Sequence, residues 1–395
     1  MKITHVIPYM HPAAGGPPVV VDRLSRELAA RGHDLDVLTT DLFARRSRDW
    51  ITGESRPYGM QVFSAMVGNG FGFSVGFWRE IGRAIRDSDV VHIHTLWTFP
   101  GLTAARACLQ AGIPYLVMPH GMLDPHSVGR KWAKKQCYGR LFEWPLLRRA
   151  RGMCYTHPEE ERLAAMTCRG LPPSHIVELG AESPPDCAKT DLRSEFLDRY
   201  PQLRERTIVL FLGRLHSKKG LDLLLPAFDS VRRQRPNAHL LLVGPGDPAY
   251  VQSLHQEVSR RALEGSVTFT GVLYGRDKWA AMAASDLFVL PSYQENFALA
   301  AVDAVRSGLP VLLSRRVNLW KDLVDAGVAR DCEPELNSLI TVLGECLTDG
   351  DWRQSAVHAG KKLLAERFNW ATSAARLETI YESVCSPNES PALVS

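Results

Sequence analysis

The chain has 395 residues, 45% of them hydrophobic and 23% charged, which is typical of a soluble globular protein with two or three domains. Its net charge of +4 is too small to indicate nucleic-acid binding, so we expect no nucleic-acid partner. The eight cysteines form no CxxC pair and no Cys/His cluster at metal-ligand spacing, and no apolar run is long enough to cross a membrane. We therefore expect reduced thiols in a cytoplasmic protein.

The first half of the chain alternates strand and helix patterns. KITHVIPYM indicates a buried strand that AAGGPP ends, and the amphipathic run VVVDRLSRELAARGH indicates a helix. DLDVLTTD, SDVVHIHT and PYLVMPHG indicate further strands. This alternation predicts a mostly parallel sheet covered by helices on both faces.

A polar stretch with several prolines, residues 182–201, is interpreted as a linker, and the alternation restarts after it. The prediction is an α/β fold with two doubly wound, Rossmann-like domains, residues 1–185 and 186–367. The terminal helix over 368–385 is expected to pack on the first domain, and 386–395 to be a disordered tail. In such sheets ligands bind outside the carboxyl ends of the strands, so a cleft between the domains is the expected site.

The loop LGRLHSKKG, residues 212–220, follows the first strand of the second domain. Arg214 offers a forked donor, and Lys218 and Lys219 offer point charges, which together suit a diphosphate. The start of the helix after Gly220 adds positive potential. A solvated basic loop is the alternative.

The stretch PSYQENFALAAVDA predicts a strand, a loop and then a helix whose free N–H groups near 296–298 suit a phosphate or sugar oxygen. Glu295 stands before that helix and can accept hydrogen bonds from sugar hydroxyls. Asp303, about two turns further on, reaches a ribose only if its helix face borders the cleft. A plain acid at the helix start is the alternative for Glu295.

Two other motifs are weighed against simpler interpretations. His120 ends a strand in MPHGML, where a histidine is more often structural than functional, although the strand's carboxyl end favours function. GPGDPA, residues 244–249, fits a dinucleotide fingerprint, with Glu264 at the expected distance. We reject that fingerprint, because its two prolines favour a turn and Glu264 precedes a strand instead of closing one.

Residues 130–151 carry eight Lys/Arg against one acid, with interleaved aromatic side chains. Such a stretch can lie on an anionic membrane surface or bind a lipid-linked acceptor. Alternatively, it is a helix whose aromatic residues face the core and whose charges are solvated.

Taken together, these stretches resemble the retaining family 4 (group 1) glycosyltransferases, which have the GT-B fold of two Rossmann-like domains facing across a cleft. The resemblance spans nearly the whole chain. The stretches that carry it occur in the family's order: Gly15-Gly16, VVHIHT, PHGMLDP, FEWPLLRRA, LGRLHSKKG, LLLVGPGD, DLFVLPSYQENF and SGLPVL.

The resemblance assigns roles to individual residues. It implies that Glu295 contacts the donor sugar, that Asp303 contacts the nucleotide ribose, and that Arg214 and Lys219 bind the diphosphate. It implies that His120 approaches the donor sugar from the acceptor-side domain. The backbone near the donor is expected from Gly15, Gly16, Asn296, Phe297, Ala298 and Leu299. The nucleobase is expected near Val272, Leu273 and Tyr274.

Three positions depart from the family pattern. Asp303 replaces a glutamate and is one methylene shorter, which lengthens a ribose contact or bridges it with water. Ala298 replaces a glycine and is expected to crowd the donor sugar. ELG at 178–180 replaces PNG.

The resemblance implies transfer of a sugar from a nucleotide diphosphate sugar to an acceptor hydroxyl, with retention of configuration and without a cofactor or bound metal. The basic, Trp-containing stretch favours a lipid-linked glycan acceptor, as in bacterial exopolysaccharide or O-antigen assembly, on the inner face of the cell membrane. The alternatives are a nucleotide-sugar epimerase of similar fold and a non-catalytic nucleotide-sugar-binding member.

Overall fold

The computed structural model describes residues 1–11, 14–43, 55–66, 70–129, 135, 137–186 and 188–386. The chain divides into two compact units. Unit 1 comprises Met1–Leu179 and Asn369–Ser395, and unit 2 comprises Gly180–Phe368. The predicted tail lies, after Ser386, outside the described residues.

Unit 1 contains a parallel sheet with the strand order β3-β2-β1-β4-β5-β6-β7 among the described residues. Its strands are β1 (Lys2–Val6), β2 (Asp34–Thr40), β3 (Gly59–Phe63), β4 (Val90–His94), β5 (Tyr115–Met118), β6 (Gly152–Tyr155) and β7 (Ser174–Ile176). The central strand β4 is buried at every residue, so both of its faces lie in the interior.

The helices of unit 1 accompany this sheet. They are α1 (Gly16–Ala30), α2 (Val75–Ala84), α3 (Phe99–Ala111), α4 (Pro125–Gly129), α5 (Trp144–Leu147), α6 (Pro158–Thr167) and, after unit 2, α15 (Trp370–Cys385). Helix α1 buries Val20, Leu24 and Leu28, which lie about one turn apart along one face. Helix α15 packs against α1, and its Glu378 accepts hydrogen bonds from side chains just after α1.

Unit 2 contains a second parallel sheet, whose described strands follow the order β10-β9-β8-β11-β12-β13. They are β8 (Thr207–Leu212), β9 (Ala238–Val243), β10 (Val267–Gly271), β11 (Leu287–Leu290), β12 (Val311–Ser314) and β13 (Ala329–Cys332). Its helices are α7 (Lys189–Arg199), α8 (Leu221–Gln234), α9 (Pro248–Arg260), α10 (Gly275–Ala284), α11 (Leu299–Arg306), α12 (Trp320–Asp325), α13 (Leu336–Thr348) and α14 (Gly350–Glu366). The predicted α/β class with two doubly wound parallel sheets is confirmed.

Two local predictions need correction. The stretch interpreted as a linker contains α7, whose Leu192 and Phe196 are buried in unit 2, one turn apart. Helix α1 begins at Gly16, inside the stretch predicted to be a break, because proline fits the first turn of a helix.

The loops after β8 and β11 approach each other closely at Gly220. This residue has a left-handed φ of 69°, and a Cβ added to it would lie 2.1 Å from the carbonyl oxygen of Pro291. Both the backbone conformation and the available space therefore require glycine.

We expect Gly220→Ala to lower the free energy of unfolding of unit 2 by about 2–4 kcal/mol, because the alanine would be strained and would push the loops apart. The matched control is Gly344→Ala in α13, where an added Cβ meets nothing within 4 Å. That control should stabilise the helix by up to about 1 kcal/mol. Urea unfolding of both variants measures the difference, and equal midpoints would contradict the close approach.

Candidate active site

Unit 2 has a topological switch point between β8 and β11. The chain runs outward from β8 through β9 to β10 and then resumes on the other side of β8 with β11, β12 and β13. All these pairs are parallel, so the carboxyl ends of the strands meet at one edge of the sheet. The loops after β8 and β11 therefore leave from neighbouring strand ends, where open α/β sheets bind ligands.

These two loops are joined by their backbones. The loop after β8 contains a 3-10 turn, Ser217–Lys219, which His216 caps by accepting a 3.0 Å hydrogen bond from the Lys218 N–H at Nδ1. The Lys218 carbonyl accepts a 2.8 Å hydrogen bond from the N–H of Tyr293, in the loop after β11. Lys219 is thereby held at a defined position beside the second loop.

Lys219 and Glu295 form an ion pair at the switch point, in which Nζ donates to Oε2. Both side chains are half-buried, with 20% and 19% of their surface exposed. Burial and the neighbouring cations Arg214 and Lys218 lower the pKa of Lys219 to about 7, whereas a paired carboxylate favours the charged form of a lysine. A poorly hydrated cation and anion therefore lie side by side. A ligand that carries charge and hydroxyl groups could replace either side chain as the partner of the other.

The backbone of Glu295 is fixed on both sides. Its N–H donates to the Arg316 carbonyl at 3.0 Å, and its own carbonyl accepts from the Asn318 N–H at 3.1 Å. Arg214 is exposed in the loop after β8 and has no ion-pair partner among the described residues. The structure therefore brings three residues predicted to contact the donor, Arg214, Lys219 and Glu295, to one strand edge.

Helix α11 starts at the same edge, immediately after Ala298. Ala298 has a left-handed φ of 57°, which is strained for alanine and easy for glycine. The resemblance places a glycine at this position, and the left-handed backbone explains why glycine fits better than alanine. This effect is separate from the predicted crowding of the sugar. No described side chain caps the N–H groups of this helix start. The Ala301 N–H bonds the Ala298 carbonyl at 2.8 Å, which leaves the preceding N–H groups for an anionic ligand.

The residues around this helix start have different surroundings. The Asn296 side chain accepts a 3.1 Å hydrogen bond from Nδ2 of Asn318, and the Phe297 ring is buried against Phe368. Leu299 is the first helical residue and is half-buried. Because its ring is buried, Phe297 could contact a ligand only through its backbone, as the resemblance implies.

Asp303 is engaged inside unit 2. Its Oδ1 accepts a 3.0 Å hydrogen bond from the Glu182 N–H, and its Oδ2 accepts one at 3.1 Å from Nζ of Lys278. Lys278 also pairs with the Glu182 carboxylate. Burial raises the pKa of Asp303. Burial alone would lower the pKa of Lys278, but the carboxylates of Asp303 and Glu182 outweigh burial, so the pKa of Lys278 is raised. A ribose contact would have to use the remaining lone pairs of an occupied carboxylate.

The loop predicted to hold the nucleobase follows the edge strand β10. Val272 and Tyr274 are exposed there, with 38% and 52% of their surface accessible, and Leu273 is half-buried. An exposed tyrosine at a strand's carboxyl end can offer its ring face to a base. The loop therefore has suitable chemistry at the predicted edge of the sheet.

The stretch GPGDPA leads directly into a helix, whereas its prolines were expected to favour a turn. Helix α9 begins at Pro248, and Asp247 Oδ1 accepts hydrogen bonds from the N–H groups of Ala249 and Tyr250 at 3.0 and 3.3 Å. A carboxylate therefore occupies the donors that a pyrophosphate would need. This geometry agrees with rejection of the dinucleotide fingerprint.

Gly15 and Gly16 form the start of α1 in unit 1. Gly15 has a φ of 106°, which favours glycine, and a Cβ added there would meet nothing within 4 Å. Pro17 and Pro18 follow and lack N–H groups, so this helix start offers fewer donors than an ordinary one. Open backbone at Gly15 is compatible with close approach of a ligand.

His120 lies in the turn after β5, with a left-handed φ of 53°. The next residue, Gly121, donates its N–H at 2.6 Å to Glu160, which is buried on α6. The same carboxylate accepts 2.8 Å hydrogen bonds from the N–H and the hydroxyl of Thr156. A strained turn held by a buried carboxylate fixes the backbone beneath the His120 ring.

Three further histidines lie behind His120 and were not predicted. β1 and β4 pair with His5 opposite His92, and His94 lies on the same sheet face two residues later. All three are fully buried. His94 Nδ1 is 3.1 Å from His120 Nε2, and His94 Nε2 is 2.8 Å from His5 Nδ1. The signal available in the sequence was H-x-H within the strand VVHIHT.

The ligand nitrogens of His5, His92 and His94 all lie within 4.8 Å of one another, a spacing that could hold a metal ion. His5 Nδ1, however, faces His94 Nε2 at 2.8 Å, and His92 Nδ1 lies 2.7 Å from the Tyr381 hydroxyl. These nitrogens therefore have hydrogen-bond partners within the protein. We describe His5 and His94 as a hydrogen-bonded pair with His92 packed beside it.

The basic stretch 130–151 is described only at 135 and 137–151. Trp144 and Leu147 are buried in the core of unit 1, as the alternative interpretation expected. Leu141 and Phe142 are exposed, with 64% and 38% of their surface accessible. Apolar and basic surface therefore coexist in this part of the stretch. Within the described residues, no helix is long and apolar enough to span a membrane.

Known proteins match this chain along almost its whole length. A model of glycosyl transferases group 1 matches residues 194–380, and a model of the glycosyl transferase 4-like domain matches residues 15–180. A D-inositol 3-phosphate glycosyltransferase of Xylanimonas cellulosilytica is 26% identical over 96% of this chain and 95% of its own. A phosphatidyl-myo-inositol mannosyltransferase of Mycolicibacterium smegmatis is 25% identical over 97% of this chain and 94% of its own.

A solved structure of Anabaena Alr3699/HepE in complex with UDP and glucose superposes with a TM-score of 0.78. The two proteins are 21% identical, and the match covers 97% of this chain and 100% of the other. Two doubly wound parallel sheets with this likeness define the GT-B fold. Since both family models match in sequence order, the chain belongs to the group 1 glycosyltransferases, which act on nucleotide sugars.

We expect Glu295→Gln and Lys219→Ala each to lower transfer activity at least about 100-fold, because both groups would contact charge and hydroxyls of the donor. Each variant should fold, and any fall in melting temperature should be far too small to account for the lost activity. Kinetics and thermal unfolding are measured on the same preparations. Glu195→Gln is the control, since it breaks the exposed ion pair with Arg276 in the same unit. Activity lost only in proportion to stability would contradict a catalytic role.

We also expect Asp303→Asn to lower the free energy of unfolding of the ligand-free protein by about 1–3 kcal/mol, because Lys278 would lose one of its two counter-charges. Asp277→Asn, which breaks an exposed pair with Arg199, should change it little. Urea unfolding without nucleotide measures both. If Asp303 served only the ribose, unfolding would be unchanged and only nucleotide affinity would fall.

Proposed function

We propose that this glycosyltransferase moves a sugar from a nucleotide diphosphate sugar to an acceptor hydroxyl with retention of configuration and without a bound metal. The observation that carries the proposal is the half-buried Lys219–Glu295 pair at the switch point of unit 2. A lone lysine or glutamate at such a place would be poorly solvated, so their mutual pairing favours the charged form of each until a donor arrives.

The donor would be divided among the groups at this strand edge. Arg214 and Lys219 would bind the diphosphate, because a guanidinium fork and an ammonium suit phosphate oxygens. Glu295 would accept hydrogen bonds from sugar hydroxyls once Lys219 turns to phosphate. The uncapped N–H groups at the start of α11 would add positive potential, and Tyr274 would stack on the base. Asp303 would reach the ribose only through lone pairs that its partners in unit 2 leave unused.

Transfer would break the bond between the anomeric carbon and the diphosphate oxygen and form one to the acceptor oxygen on the same face. The acceptor proton would pass to the departing phosphate oxygen, so no protein nucleophile is required. Lys219 and Arg214 would stabilise the negative charge that develops on the leaving group. His120 would orient the sugar through a hydrogen bond.

Two observations bear on the acceptor. The two relatives described above are named for inositol 3-phosphate and phosphatidyl-myo-inositol, which favours a phosphorylated inositol. Exposed Leu141 and Phe142 beside basic residues favour a membrane-bound acceptor, such as a lipid-linked glycan. A phosphatidylinositol would satisfy both observations. The family match favours transfer over an epimerase or a non-catalytic binding protein.

The first experiment is a thermal-shift screen against UDP, GDP, ADP and TDP, with nicotinamide dinucleotides as controls. A ligand that binds only the folded state raises the melting temperature, by an amount that reports its affinity. We expect one nucleoside diphosphate to stabilise the protein and Lys219→Ala to abolish that shift. The corresponding nucleotide sugars are then offered with inositol 3-phosphate, phosphatidylinositol vesicles and lipid-linked glycans.

Mass spectrometry of the products identifies the acceptor, and NMR of the new linkage shows whether configuration is retained. Chelator treatment should leave the rate unchanged. An inverted product would overturn the retaining mechanism. Release of an epimerised nucleotide sugar, or donor binding without transfer to any acceptor, would support the alternatives.

A further inference from the structure

A row of imidazoles, His5–His94–His120, runs from the interior of unit 1 to the turn that carries His120. Two hydrogen bonds, of 2.8 and 3.1 Å, join the three rings in series. Burial lowers the pKa of His5 and His120 to about 3, and it holds the pKa of His94 well below its ordinary value, so all three rings are neutral near pH 7. Each neutral ring has one N–H and one bare nitrogen.

These facts leave two self-consistent proton arrangements. In the first, His5 Nδ1–H donates to His94 Nε2, and His94 Nδ1–H donates to His120 Nε2, so His120 carries its own proton on Nδ1. In the second, every donor and acceptor is reversed, and His120 presents a bare Nδ1. The tautomer of His120 is therefore coupled to that of a residue two rings away.

The buried end of the row distinguishes the two arrangements. His5 Nε2 is buried and has no hydrogen-bond partner among the described residues. In the first arrangement this atom is a bare acceptor, whereas in the second it is an N–H without an acceptor. Orphaned buried N–H groups are rare in proteins, because the donor loses its water without compensation. The first arrangement is therefore favoured.

We propose that His94 is a positioning residue that, backed by His5, holds His120 in its Nδ1–H tautomer. His120 Nε2 is occupied by His94, so Nδ1 is the ring nitrogen available to a substrate. His120 then acts as a neutral hydrogen-bond donor to a substrate oxygen and does not act as a base. This step rests on the proposed role of His120 at the sugar, although the tautomer itself does not depend on it.

The backbone supports the same arrangement from the other side. The left-handed His120 and the contact between Gly121 and Glu160 fix the turn, while His94, the last residue of β4, fixes the ring. A ring held at both its backbone and its Nε2 directs its remaining N–H along one line. Such a donor requires little reorganisation when a substrate binds.

The tautomer can be read directly by long-range ¹H–¹⁵N NMR of protein labelled with ¹⁵N-histidine, with His120→Gln identifying the His120 signals. We expect wild-type His120 to be protonated at Nδ1 and bare at Nε2. In His94→Phe, which keeps a flat ring but removes both nitrogens, His120 should lose this single tautomer. The measurement needs no substrate, so it stands or falls separately from the proposed function.

Kinetics test whether the tautomer matters. His94→Phe should lower kcat about tenfold with little change in KM. A tenfold fall corresponds to the free energy that one hydrogen bond contributes. His94→Gln, whose amide can accept from His5 and donate to His120, should restore both the tautomer and kcat to within about threefold. His92→Phe is the control, because His92 lies equally buried on the same strand but bonds Tyr381 at 2.7 Å instead of the row. It should lower stability without changing kcat.

Three results would overturn the proposal. They are a wild-type His120 that is bare at Nδ1, a His120 tautomer unchanged in His94→Phe, or a folded His94→Gln that loses as much kcat as His94→Phe. If His94→Phe fails to fold, the spectrum of the wild type and the kinetics of His94→Gln still decide the question.

Discussion

In each unit, the candidate site residues are placed by parallel strand pairing at the point where the strand order of that unit's sheet reverses. In unit 2 β8 pairs with β11, and in unit 1 β1 pairs with β4, although in each case two other strands intervene along the chain. Because the paired strands run in the same direction, their carboxyl ends reach the same edge of the sheet. The contact between Lys219 and Glu295 and the row of histidines are both consequences of this pairing.

The two units solve the problem of buried polarity in different ways. Unit 2 places opposite charges together at Lys219–Glu295 and around Lys278, so each ion keeps a partner after losing water. Unit 1 instead keeps His5, His94 and His120 neutral and links them by hydrogen bonds. Ion pairs thus stabilise the poorly hydrated groups around Lys219 and Lys278, whereas hydrogen bonds between neutral rings stabilise those around His94.

The sequence was sufficient for the fold class and for placing Arg214, Lys219 and Glu295 at one strand edge, because strand and helix periods are local signals and parallel strand ends share an edge. It was insufficient for contacts that depend on register and strand order. Lys278 and Glu182 could not be assigned to Asp303, and the His5–His94 contact required β1 beside β4. Helix α7 was missed because two buried side chains among polar and proline residues give a weak periodic signal.

The placement of α15 has a consequence for how the protein is made. Unit 1 needs this helix, since its Tyr381 is fully buried and bonds His92 in the central strand. Unit 2, in contrast, is one continuous segment, Gly180–Phe368, and it is synthesised before α15. Unit 2 can therefore fold while the first-made unit is still incomplete. Until α15 emerges from the ribosome, β4 of the nascent chain lacks the Tyr381 side chain that bonds His92. During this interval unit 1 can misassemble.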